Sequence, residues 1–208
     1  MIEVLTANTP NGKKITIMLE EIKFKYKITK INIQKEEQFN PKFRALSPFS
    51  KIPVIIDHDN KTSLFESGAI LMYLGEKSGK FYQEKNKHLI NQWLMGQMAY
   101  IGPMLGQHHQ FHHYNPGKSQ FGENRYFKIA KQIYQNLDDR LANSDFLAGK
   151  DYTIADIATF PWIARHDWHD IGLKKFKNLS RWYGTISDRE AVRRGYDLLK
   201  KGEIIPKI

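Results

Sequence analysis

The chain contains no cysteine. That excludes structural disulfides, thiolate metal sites and any nucleophilic or redox-active thiol of the protein's own. Redox chemistry on this chain would have to borrow its thiols from a substrate. Also missing is any apolar run of about 18 residues, the length a membrane-crossing helix needs. No basic-then-apolar leader is present, because Met1 to Leu5 already has the pattern of a strand, and the expected location is the cytoplasm. Acidic residues are scarce relative to basic ones: 22 Asp and Glu against 32 Lys and Arg leave a formal charge of +10. The lysines are spread over Lys13 to Lys35, Lys118 to Lys131, Lys174 to Lys177 and Lys200 to Lys207. No arginine-aromatic motif of a nucleic-acid module accompanies them, so solvated helix faces explain the charge better than a nucleic-acid partner. What is present, 208 residues of which 41% are hydrophobic, is enough for one large or two small cores without covalent staples.

Strand and helix signals alternate up to about residue 80. Glu3 to Ala7 reads as a strand, and Ile15, Met18, Leu19 and Ile22 then form the stripe of an amphipathic helix. Ile28 to Ile33 is a second strand and Gln38 to Leu46 a short irregular helix. The stretch Phe43 to Lys77 is the most specific. Its β-branched run Ile52-Pro53-Val54-Ile55-Ile56-Asp57 places proline at a strand entry, where a missing N–H matters least. A cis Ile52–Pro53 bond would turn the Ile52 backbone outward to pair with a peptide lying alongside. Ser63-Leu64-Phe65 predicts another strand, running into a helix from Ser67 to Lys77. Ser67 then sits at a helix N-terminus, where free N–H groups and the dipole favour a carboxylate, while Glu66 beside it suits an ammonium. One α-amino-acid end satisfies both. Capping of the same helix is the competing account of these two residues.

Beyond Gly79-Lys80-Phe81 the pattern turns helical. Long helices are expected over Asn86 to His113, with a kink at Gly102-Pro103, and over Gln120 to Asn143. Thr153-Ile154-Ala155-Asp156 is a capping box, which makes Asp156 a folding residue rather than a catalytic one. His108, His109, His112 and His113 share helical faces and invite a metal hypothesis, but no carboxylate or cysteine lies nearby, and substrate contacts or plain surface explain them better. Trp93, Trp162, Trp168 and Trp182 are expected in core, interface or cleft lining.

Ile52-Pro53, the run Glu66-Ser67-Gly68-Ala69-Ile70 and the run from Thr153 to Ala158 together resemble the glutathione transferase family, and the resemblance extends through essentially the whole chain. Thr9-Pro10-Asn11-Gly12 with the helix that follows is similar to the nu-class, disulfide-reductase-like branch. The resemblance implies an α/β plus all-α architecture: a thioredoxin-like, glutathione-binding domain over 1–80, in the order βαβ then ββα, and a helical bundle over 87–208. It implies glutathione as cosubstrate with no metal, a homodimer, and glutathione held by Glu66 and Ser67 at its γ-glutamyl end. Ile52 at the Pro53 turn would meet the cysteinyl unit, and Gln38 and Lys51 the glycyl carboxylate. Arg125, in the run from Gly122 to Lys128, would reach a second glutathione. The loop Thr9-Pro10-Asn11-Gly12 carries no Tyr, Cys or Ser. From the residues alone, Thr9 or Asn11 caps the first helix; the resemblance gives one of them a contact to sulfur, and the two roles are compatible. A hydrogen bond to the thiolate would lower its pKa, but neither residue can serve as a general base. Thiol-disulfide exchange with a small disulfide is therefore expected, and conjugation to an electrophile more slowly. The chain is also similar to a fungal nitrogen-regulatory protein on the same fold, which keeps a non-catalytic regulatory role as the alternative.

Overall fold

The structure is a computed structural model that describes residues 1–208. The expected strand and helix order holds through residue 80, with shifted ends. Strand β1 (Ile2–Thr6) leads into α1 (Pro10–Ile22) and then β2 (Tyr26–Lys30). The β-branched tail Ile31 to Ile33 leaves the sheet and starts a short 3-10 turn, Ile33–Lys35. The irregular helix expected over Gln38 to Leu46 is two pieces, a 3-10 turn Glu37–Phe39 and α2 (Pro41–Arg44). Strands β3 (Val54–Asp57) and β4 (Thr62–Phe65) precede α3 (Ser67–Ser78).

The four strands form one mixed sheet in the order β2-β1-β3-β4. Central β1 pairs parallel with β2, Val4 opposite Ile28, and antiparallel with β3, Val4 opposite Ile55. Alternation buries Ile2 and Val4 against the helices, where Ile15, Met18, Leu19, Ile70 and Leu74 complete the core. Asp57 ties the end of β3 to α3. Its buried carboxylate accepts from Tyr73 Oη at 2.6 Å, from Asp59 N at 3.0 Å and from Lys77 Nζ. Burial alone would raise this carboxyl, but hydrogen bonds from Lys77 and Tyr73 outweigh it and bring it down to about 2.

The chain divides into two compact units. One comprises Met1–Tyr82 with Arg189–Ile204, the other Gln83–Asp188 with Ile205–Ile208. The segment Arg189–Ile204, assigned by the sequence to a helical domain continuous over 87–208, instead groups with the first unit. Its helix α10 (Glu190–Asp197) packs along α1. Gly195 permits the approach, since a Cβ there would lie 2.5 Å from Ile17 Cα. Lys13, wholly buried, fixes the same contact by donating to Tyr196 O at 2.7 Å and pairing with Glu203 at 2.9 Å.

The second unit is helical: α4 (Lys87–Gly96), α5 (Gly102–His108), α6 (Gln120–Ala142), α7 (Ile154–Ile163), α8 (His166–His169) and α9 (Lys177–Ser187). The irregularity expected at Gly102-Pro103 is present as a wide π turn, Gln97–Ile101, directly before that pair. A second π turn, His109–Tyr114, follows α5. At the start of α7 the capping box is complete. Buried Asp156 accepts from Thr153 N at 3.0 Å and from Thr153 Oγ1 at 3.0 Å, and also from Leu147 N and Trp182 Nε1, each at 2.9 Å. No helix is long and apolar enough to cross a membrane.

Candidate functional site

Three chain segments of the first unit converge on a single cavity of about 130 Å³. The first is the turn from β1 into α1. Thr9 is the N-cap, extended at φ −133°, ψ 162°, and its Oγ1 accepts from Gly12 N at 3.1 Å. Pro10 occupies the first helical position, where its missing N–H and fixed φ suit a helix start. Gly12 has to be glycine, because a Cβ would meet Ala7 O at 2.3 Å. The capping expected from the sequence therefore falls to Thr9, which uses an oxygen lone pair and keeps its hydroxyl proton for donation. Asn11 lines the cavity, half-buried, at the positive end of the α1 dipole.

The second segment enters β3. The Ile52–Pro53 bond is cis, and Lys51, Ile52 and Pro53 all line the cavity. Ser47, fully buried, organises this turn: its Oγ donates to Lys51 O at 2.8 Å and accepts from Lys51 N at 3.1 Å. The third segment joins β4 to α3 and contributes Phe65, Glu66 and Ser67. Glu66 holds φ 67°, ψ 112°, a region that costs a non-glycine residue about 1 to 3 kcal/mol. Its side chain makes no capping hydrogen bond, so capping does not account for it. Ser67 is the first residue of α3 and is 5% exposed.

Most of the sequence-expected residues thus meet: Asn11, Lys51, Ile52, Pro53, Glu66 and Ser67 share one cavity. Others lie elsewhere. Gln38 sits on the 3-10 turn with its Oε1 buried and without a hydrogen-bond partner, outside the cavity lining. Arg125 is an exposed residue of α6 in the second unit. Sequence reasoning missed Ser47, Phe65 and Lys14. Lys14 is fully buried on α1, with Nζ donating to Ser67 Oγ at 3.2 Å. Burial pushes its ammonium well below the ordinary lysine range, partly opposed by the charge of Glu66. A signal was available: Lys14 follows Asn11 by three residues and precedes Met18 by four, so it shares their buried helix face.

Of the histidine run, expected in substrate contacts or at plain surface, the first two residues lie at neither the surface nor the cavity of the first unit. His108 and His109 are buried, and a residue far away in sequence joins them. His109 Nε2 lies 2.8 Å from His169 Nε2, and His169 Nδ1 lies 2.6 Å from Tyr134 Oη. His108 Nε2 lies 2.9 Å from His169 O and donates to it. Burial holds His109 near 3 and His169 well below the ordinary histidine range, so these rings are neutral. His108, His109 and His169 form a buried polar layer of the second unit, while His112 is half-buried and His113 exposed. Of the four tryptophans, Trp182 is fully buried and Trp162 nearly so.

Comparison with known proteins identifies the scaffold. The glutathione S-transferase N-terminal domain model matches residues 4–76, and the C-terminal domain model matches residues 118–190. The disulfide-bond oxidoreductase YfcG of Escherichia coli is 41% identical over 207 residues, covering 96% of this chain and 95% of that protein. A glutathione transferase from Burkholderia graminis, solved with two glutathione molecules per subunit, superposes with a TM-score of 0.90 at 36% identity, over 97% of this chain and 89% of that one. A glutathione transferase from Pseudomonas putida, solved with one glutathione disulfide per subunit, gives 0.89 at 36% identity, over 95% and 91%. By its two domain matches and the extent of these likenesses, the chain belongs to the glutathione S-transferase family.

Proposed function

We propose that this protein is a glutathione-dependent thiol-disulfide oxidoreductase that acts as a homodimer. The observation that carries the proposal is the single cavity joining Asn11 to Glu66 and Ser67 in a chain without cysteine. Glutathione offers an α-amino acid at one end and a thiol one residue further along. The γ-glutamyl carboxylate docks at Ser67 on the α3 N-terminus, its ammonium faces Glu66, and the cysteinyl backbone pairs with Ile52. Lys51 faces the glycyl carboxylate, with Gln38 at the edge of the same end. The sulfur then lies toward Asn11 and Thr9, where an N–H or O–H donor at the α1 dipole favours the thiolate.

In the reaction this thiolate attacks one sulfur of a small disulfide. An S–S bond forms to glutathione as the substrate S–S bond breaks, and the departing thiolate takes a proton from solvent. A second glutathione thiolate attacks the glutathione sulfur of the mixed disulfide, releasing the second substrate thiol and leaving glutathione disulfide. Two electrons pass from two glutathiones to the substrate, and the protein contributes orientation and charge stabilisation alone. Arg125 is proposed as the carboxylate partner of the second glutathione. The names of the Escherichia coli oxidoreductase and of the Pseudomonas putida complex with glutathione disulfide support this reaction type. The direct test is reduction of small disulfides with glutathione as donor, in wild type and in Ser67→Ala. A rate above buffer that falls with Ser67 is expected; rates equal to buffer across all disulfides would defeat the proposal.

A further inference from the structure

The segment Arg189–Ile204, which rejoins the first unit, ends against the turn from β1 into α1. Leu199 Cδ1 lies over Gly12, 3.1 Å from where a Cβ would stand. Glu203 reaches both ends of the turn: its Oε2 accepts from Asn8 Nδ2 at 2.8 Å and from Lys13 Nζ at 2.9 Å. Asn8 and Lys13 bracket Thr9, Pro10, Asn11 and Gly12, which carry the sulfur site of the proposed reaction. Asn8 Oδ1 is buried without a hydrogen-bond partner, so the bond to Glu203 is the one that orients this side chain.

Glu203 is itself held in place. Its N–H donates to Asp197 Oδ1, at the end of α10, at 2.9 Å and to Lys200 O at 3.0 Å, and Gly202 supplies the left-handed step at φ 83°. Its side chain is 13% exposed, so both contacts are charge-assisted bonds largely shielded from water. Joining α1 to α10 accounts for Lys13 alone, which Tyr196 O on α10 also holds at 2.7 Å. Asn8 precedes α1, and a bond to it adds nothing to that helix pair. What it fixes is the turn.

We propose that Glu203 is a positioning residue of the sulfur site: by holding Asn8 and Lys13 on one carboxylate oxygen, it sets where Thr9 and Asn11 present their donors to the bound thiol. This rests on the glutathione reading above and deepens it. With both ends tied to one atom, the residues between them have little freedom to shift along the cavity, and the donors are oriented before the ligand arrives. Placement and charge act on the thiol in opposite directions. A carboxylate near a thiolate disfavours it, so losing the Glu203 charge alone would lower the thiol pKa, whereas losing the placement of the donors raises it.

The test follows the ultraviolet absorbance of the bound glutathione thiolate across pH in Glu203→Ala and Asn8→Ala, beside calorimetric titration of S-methylglutathione. In both variants the thiol pKa is expected to rise by about 0.5 to 1 unit, a part of what one hydrogen bond to a thiolate supplies. The single-turnover rate at pH 7 should then fall about two- to threefold and recover at higher pH. S-methylglutathione has no thiol to stabilise, and its affinity should stay within about twofold of wild type. Asn8→Ala leaves the Lys13–Glu203 pair intact, so it supplies the reading if Glu203→Ala does not fold. A purely structural role lowers the melting temperature and leaves the thiol pKa alone. A thiol pKa unchanged or lowered in either folded variant overturns the inference while leaving glutathione binding in place. No binding of S-methylglutathione by wild type overturns the glutathione reading and this inference together.

Discussion

Removing the Asn11 side-chain amide tests the sulfur site directly. At the N-terminus of α1 the backbone donors near the cavity are few: Pro10 has no N–H, the Gly12 N–H is held by Thr9 Oγ1, and the Lys13 N–H by Thr9 O at 3.0 Å. The Asn11 backbone N–H is not among these, and Asn11→Ala leaves it in place, so the variant isolates the side-chain donor. A hydrogen bond to a charged acceptor contributes about 1.5 to 3 kcal/mol, which corresponds to roughly 1 to 2 pKa units on the bound thiol. The rate at pH 7 falls by less than the thiolate fraction does, because a more basic thiolate is the better nucleophile, with a Brønsted slope of about 0.4 to 0.5. Asn11→Ala should thus lose about 4- to 20-fold in the single-turnover rate at pH 7 and recover it, or exceed wild type, above the new thiol pKa. The bound thiol can be titrated by the ultraviolet absorbance of its thiolate, since no protein cysteine adds to the signal. Thr9→Val is the comparison: it removes the cap, at about 1 kcal/mol of stability, together with the hydroxyl donor. If both variants keep the wild-type thiol pKa, neither residue donates to sulfur and the proposed activation is wrong.

Other consequences concern the scaffold. Asp156→Ala deprives Leu147 N, Thr153 N and Trp182 Nε1 of a shared buried acceptor and should lower stability by about 3 to 5 kcal/mol. Asp156→Asn can keep the two bonds to one oxygen, so it should lose less; urea unfolding that ranks the two equally would contradict the geometry. All four tryptophans lie within Gln83–Asp188, so tryptophan emission follows the second unit in such experiments. The buried histidines make that unit acid-sensitive. Burial depresses His108, His109 and His169, so the unfolded chain binds more protons below about pH 6.5, and the stability present above that pH is lost as it falls toward about 3. Each proton contributes a slope of about 1.4 kcal/mol per pH unit, and a tryptophan-monitored unfolding free energy that stays flat from pH 7 to pH 5 would refute it. Lys13→Met removes the buried ammonium paired with Glu203, which keeps its hydrogen bond from Asn8 Nδ2 at 2.8 Å, and should cost about 2 to 3 kcal/mol with ligand affinity unchanged. Calorimetry and urea unfolding on the same samples check both halves of that statement.

Local signals made most of the first unit legible. Proline at the β3 entry, the apolar stripe of α1 and the Glu66-Ser67 step each depend on neighbours a few positions apart, and each lies close to where the sequence put it. Asp156 was equally visible because capping is a three-residue affair, whereas the α1 cap stood open between Thr9 and Asn11 until the structure gave it to Thr9. Long-range pairings behave otherwise. Nothing local to Arg189–Ile204 shows that it returns to α1, because the contact depends on a glycine 178 positions beyond Ile17 and on a lysine meeting Glu203 190 positions away. His108 and His109 look solvated on paper, since their partner His169 lies about 60 positions on. Gln38 was placed by analogy rather than by any local rule, and the structure leaves it outside the cavity lining.

Lys13 and Lys14 show why residue type alone misleads. Composition treats a lysine as a solvated charge, and most of the basic excess in this chain suits that treatment. Two neighbours on one buried helix cannot both follow it, because a turn of about 100° per residue sends them to different partners. Lys13 meets a carboxylate and a carbonyl that are always present, so its charge belongs to the folded state. Lys14 meets a serine hydroxyl at the positive end of a helix. One lysine thus closes a long-range ion pair and the other a hydrogen bond to the first residue of α3, so what each contributes is decided by the element its side of the helix meets.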